Sequence, residues 1–232
     1  VKYWSKLGLD VWVTKLLFLC LATDAGFIFV HIIHWQTSLA NSHLFSIEED
    51  RGYAEIFQYI KEYWTVLLLG LTAIQKRSLL YLNWASLFIY LLLDDALDIH
   101  EKVGSSISTT FAFYDLFGVR AIDWGELIVS ASVGMFFLGW IAASYRFGDS
   151  KFRRASQGLI LLMLTLVLFG VVIDLVHGVL NFTKISSLIG LVEDGGEMLV
   201  MSAIVCFVFD LSEFPQNRTN HTREFREDQI FK

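Results

Sequence analysis

The sequence predicts an all-α protein, a polytopic integral membrane bundle of six transmembrane helices, and three observations carry that expectation. Of its 232 residues 55% are hydrophobic and the mean hydropathy is +0.53, too apolar for a soluble fold to cover with polar surface. Runs of about 20 residues, the length that crosses a bilayer as helix, recur along the chain. Lysine and arginine then alternate from one side of those runs to the other, as the charge bias of membrane loops requires.

The first run, at about 11–35, is long enough to be a permanent span, with no separate cleavable leader before it. The second, at about 60–76, and the third, at about 79–100, are divided by Lys76 and Arg77. Residues 104–118 (GSSISTTFAFYDLFG) mix polar and apolar types and predict a short interfacial helix or re-entrant piece instead of a further span. The remaining runs lie at about 126–146, 157–180 and 187–211, which makes 1–212 a single membrane domain followed by a polar tail, 213–232. No internal repeat is evident. The seven tryptophans fall mostly near span ends, where an aromatic belt places them.

Charge orients the bundle. Lys2, Lys6, Lys15, Lys76, Arg77, Arg146, Lys151, Arg153, Arg154, Arg218, Arg223, Arg226 and Lys232 share one side, thirteen of the 18 basic residues. Arg51, Lys61, Lys102, Arg120 and Lys184 take the other, beside the acidic loop Glu48, Glu49, Asp50. Both termini are therefore expected in the cytoplasm. Cys20 and Cys206, the two cysteines, lie in apolar runs and offer neither a disulfide framework nor a cysteine-based zinc motif.

A charged side chain in a membrane helix costs roughly 2.5–3.5 kcal/mol even on the lenient insertion scale, so each asks for a function. Span 1 carries Asp24, His31 and His34; span 3 ends in Asp94, Asp95, Asp98, His100 and Glu101; span 5 carries Asp174 and His177; span 6 carries Glu193, Asp194 and Glu197. All fall in the outer halves of their helices. At about 100° per residue Asp94, Asp98 and Glu101 form one stripe, Glu193 and Glu197 another, and Asp174 pairs with His177.

Carboxylates crowded in a low-dielectric site need protons or a cation. The expected site is a divalent metal held by ligands from Asp24, His31, His34, Asp94, Asp98, Glu101, Asp174, His177, Glu193 and Glu197. Mixed oxygen and imidazole donors favour Zn, Fe or Mn over Ca or Mg. The leading functional expectation is a metal-dependent membrane enzyme, a hydrolase or oxidoreductase, acting on a lipid or other apolar small molecule. The alternatives are a proton- or cation-coupled transporter and a haem-binding or accessory subunit of a membrane complex. Nothing in the sequence suggests a nucleic-acid partner.

The stretch Asp94-Asp95-Ala96-Leu97-Asp98 resembles the DDxxD motif with which membrane prenyltransferases hold magnesium and diphosphate. A second such motif is missing, six spans are too few for that fold, and that family keeps the motif toward the cytoplasm. The plan also resembles in outline the seven-span alkaline ceramidase type of hydrolase, with its zinc in a bundle, but only an HxxH pair, His31 and His34, stands in this chain. The sequence is assigned to neither family.

Overall fold

A computed structural model describes residues 11–37, 42–116, 118–180 and 185–230, with side chains through residue 212. The described residues are almost wholly helical: α1 (Val11–Gln36), α2 (Tyr53–Gln75), α3 (Leu80–Leu97), α4 (Ile99–Thr110), α5 (Ala121–Phe147), α6 (Ser150–Val167), α7 (Asp174–Leu180) and α8 (Ser186–Ile230). A π-helical segment, Leu168–Ile173, joins α6 to α7. Five stretches are long and apolar enough to cross a membrane: α1, α3, α5, the continuous Ser150–Leu180, and Ser186–Ser212 of α8.

α2 stands at the place of the expected second span, and it differs from expectation. Its apolar run was expected from about residue 60, whereas the helix starts at Tyr53, capped by Gly52 with Glu55 in its first turn, where a carboxylate suits the helix dipole. At 23 residues it is about 35 Å long, enough to cross, but Gln58, Lys61, Glu62 and Thr65 lie within it and are buried. The buried positions Ala54, Gln58, Lys61, Thr65, Leu69 and Thr72 recur every three or four residues. The opposite face exposes Ile60, Leu67, Leu71 and Ile74. α2 is thus polar inward and apolar outward, the reverse of a surface helix in water.

Residues 104–118, expected to hold an interfacial helix, contain most of α4, which begins earlier, at Ile99. Asp98, in the left-handed conformation (φ 55°), turns the chain out of α3 and into it. The polar tail expected from 213 continues the helix of α8 to Ile230.

α2 packs between α3 and α8, α1 lies on α8, and α6 also lies on α8. Toward the end of the bundle that carries the short 76–79 and 148–149 turns, the interior is apolar, built from Leu69, Trp84, Phe88, Leu159, Ile204 and Val208 among others. Trp84 Nε1 donates to Ser156 Oγ there at 3.1 Å, satisfying both buried groups. The buried acids and histidines collect toward the opposite, acidic end.

α4 meets α5 backbone to backbone. A β-carbon on Gly125 would collide with the carbonyl of Gly104, and one on Gly104 would lie 2.5 Å from the Glu126 nitrogen. Gly125→Ala should therefore lower stability by about 1–3 kcal/mol through overpacking. Gly134→Ala, on the same helix with nothing within 4 Å, should be neutral or stabilising. Thermal melts of both variants in detergent check this; equal melting temperatures would contradict the close crossing.

Candidate functional site: buried polar groups at the acidic end

Lys61 is the only basic side chain among the described residues with zero exposure, and its three ammonium protons are all placed. Nζ donates to Asp24 Oδ1 at 3.1 Å, to the Met198 carbonyl at 2.7 Å and to Ser202 Oγ at 3.3 Å. Ser202 Oγ in turn donates to Asp24 Oδ2 at 2.5 Å. The Phe57 ring lies 5.0 Å from the same ammonium. The arrangement ties α1, α2 and α8 together and leaves Asp24 neutralised by a lysine.

One residue further along α2, Glu62 is 2% exposed and lies beside Asp95 of α3. Its Oε2 has no partner among the described residues, and neither has Oε1 of Gln58, one turn earlier on the buried face. Glu197 of α8 reaches the same level of the bundle, near Glu62 and Asp95. The carboxyl of Glu197 lies against Gly170, at a place where any β-carbon would collide with Oε1. Gly170 sits inside the π segment, so the irregular turn and the missing side chain together make room for that acid.

Nearer the rim, His177 is held at both ring nitrogens, Nδ1 by Glu193 Oε2 at 2.8 Å and Nε2 by Ser186 Oγ at 3.0 Å. Asp174, on the surface of α7, is in hydrogen-bond contact with Glu193. These three of the sequence-derived candidates are brought together, with Glu197 close by. The others are not. His31 accepts the Ile47 backbone N–H on Nδ1 at 3.2 Å and meets Ser46 Oγ at 3.3 Å, which makes it a neutral ring pinning the 42–47 loop to α1. His34 lies edge-on to His43, with ring centroids 6.2 Å apart.

Asp94 accepts the backbone N–H of His100 on Oδ1 at 2.8 Å and the ring Nδ1–H on Oδ2 at 3.1 Å, closing the first turn of α4. That carboxylate raises the His100 pKa to about 9, from 6.5, against the opposing effect of burial. Asp98 bridges Lys102 and Arg51, whose cationic groups hold its carboxyl below the usual range. Glu101 is exposed on α4.

A carboxylate–histidine metal sphere was the sequence-based expectation. Among the described residues, no three His, Cys, Asp or Glu side chains gather as a metal ion requires. His31 is engaged in a loop clasp, Asp94 in a helix cap, and Asp24 and Asp98 in ion pairs.

Lys61, Glu62 and Ser202 were not among the residues singled out from sequence, and Asp95 was noted without being placed at the centre. From sequence, Lys61 falls among the basic residues of the acidic side, at the edge of the run that begins at about 60. The three-to-four-residue recurrence of Ala54, Gln58, Lys61, Thr65, Leu69 and Thr72 is the signal that places it inside the helix.

The family described as Domain of unknown function (DUF8692) matches residues 16–211, which takes in every residue of this constellation. No curated protein matches the chain. No solved structure matches it.

Lys61→Met should destabilise the protein by about 3–5 kcal/mol, since it leaves the Asp24 carboxylate buried without its opposite charge. Asp24→Leu combined with Lys61→Met should recover most of that loss, and chemical denaturation in detergent measures both; a second loss added to the first would show that the pair is not the coupled unit. His100 gains its proton partner only on folding, so the stability it contributes is full below about 6.5 and is lost as pH rises through about 9. The melting temperature should fall over that window in the wild type and fall less in His100→Gln.

Proposed function

This chain belongs to the DUF8692 family, and we propose that it is a multi-pass membrane protein that binds and exchanges protons at a buried carboxyl centre, Glu62, Asp95 and Glu197. α2 acts as the sixth span, the basic end and both termini face the cytoplasm, and the acidic end faces outward, an orientation supported by the distribution of Lys and Arg. The class is that of proton- or cation-coupled carriers.

One observation carries this reading. Glu62 lies beside Asp95 and is 2% exposed, with its Oε2 lacking a hydrogen-bond partner among the described residues, and a carboxyl buried in that way is stable only with a proton or a cation. Lys61 makes no hydrogen bond to them, because its protons are committed to Asp24, Ser202 and the Met198 carbonyl. Buried carboxyls left without a cation at this depth hold protons or a mobile cation. The unpartnered Oε2 of Glu62 marks a place for one more hydrogen-bonding group. A metal-dependent enzyme is less well supported, since the donors are paired among themselves.

The apolar core beneath the centre, with Leu69, Phe88 and Ile204, closes the path toward the basic end in this conformation. Exchange therefore proceeds with the acidic side, and coupled transport requires a second conformation that opens the other end. The break in the helix at the π segment Leu168–Ile173, directly against Glu197, is the element placed to move.

Infrared difference spectra of the protein in lipid nanodiscs, recorded across a pH titration, test the centre. The C=O stretch of a protonated carboxyl should appear in the wild type and be lost or displaced in Glu62→Gln and in Asp95→Asn. Absence of that band throughout, or stoichiometric divalent metal that Glu62→Gln removes, would overturn the reading.

A further inference from the structure

His177 lies toward the acidic end, and each of its ring nitrogens has a partner. Ser186, at the first residue of α8, meets Nε2 at 3.0 Å. Glu193 Oε2 meets Nδ1 at 2.8 Å. Glu193 is also in contact with Asp174, and Glu197 follows it by one turn on the same face of α8. Asp95 and Glu62 lie at the level of Glu197.

We propose that His177 is the entry relay for the carboxyl centre, passing protons between Ser186 at the rim and Glu193 inside, a role that rests on the proton-binding reading above. The ring takes a proton at Nε2 from water, directly or through the Ser186 hydroxyl, which gains a water proton as it gives up its own, and releases the one on Nδ1 to Glu193 Oε2, so that charge moves inward by one hydrogen bond and the imidazole returns to neutrality. The other tautomer is restored when the ring turns over or the proton returns. Glu193 then hands its proton to Asp174 or, along the helix, to Glu197.

The groups that face His177 set this path apart from a static ion pair. Glu193 and Asp194 come from α8, Asp174 from its own helix, and Glu48 from the 42–52 loop. Gly190 permits the approach: a β-carbon there would lie 2.5 Å from Glu48 Oε1 and 3.1 Å from the His177 ring. Asp123 of α5 closes the opposite flank, 3.3 Å from a β-carbon built on Gly178. Arg120 pairs with that Asp123 at 2.7 Å. Both nitrogens of the His177 ring keep a neighbour for transfer.

The test follows the carboxyl C=O band of the nanodisc-embedded protein in time after a pH jump. In His177→Gln the band should reach its wild-type amplitude, but on the order of a hundredfold more slowly, and added imidazole should restore part of the rate. Glu193→Gln, which keeps the shape of the site, should slow the response in the same way without rescue by imidazole. An unchanged rate in both variants, with the wild-type band intact, overturns the relay and leaves the carboxyl centre standing. A wild type with no such band overturns the centre itself, and the relay with it.

Discussion

Lys61 places an ammonium group in the interior of the bundle, beyond the reach of solvent, and the surrounding helices are arranged to make that tolerable. Desolvating it carries a cost that only full hydrogen bonding and an opposite charge can offset. Asp24 supplies the charge from α1, and α8 supplies Ser202 and the carbonyl of Met198. Each donor fixes a helix in rotation and in height. The register of α1, α2 and α8 is set by this contact more than by the apolar packing around it, which is non-directional.

That register decides what lies next to it. With Lys61 directed at Asp24, its neighbour Glu62 is turned toward α3 and meets Asp95, and no other basic group follows it inward. The acids at this level thus lack the compensation that Asp24 receives. Glu197, one residue before the carbonyl that Lys61 binds, is carried to the same level by α8 and lodges against the π segment at Gly170. A structural ion pair and an uncompensated carboxyl group are therefore built from adjacent residues of the same two helices.

The histidines divide along the same lines. His31 and His100 do structural work: the first accepts a loop amide, and the second closes the turn of α4 against Asp94. His177 differs because each of its nitrogens meets a side chain that can itself give or take a proton. Residue type alone does not separate these cases; the partner atom does.

The sequence by itself determined the helical class, the apolar passes and the collection of acids and histidines toward one end, because hydropathy and the cost of buried charge are properties of residues in order along the chain. The length of α2 was half legible: its apolar run is visible from 60, but the preceding turns are polar on the buried face and resemble a loop to any measure that averages around the helix. Only the tertiary structure decided that Asp24 is answered by Lys61, that Glu62 meets Asp95, and that Glu197 has room beside Gly170. Those pairings depend on the rotation of one helix against another. A shift of one residue turns a helical side chain by about 100°, and local sequence pattern does not fix which neighbour it then meets.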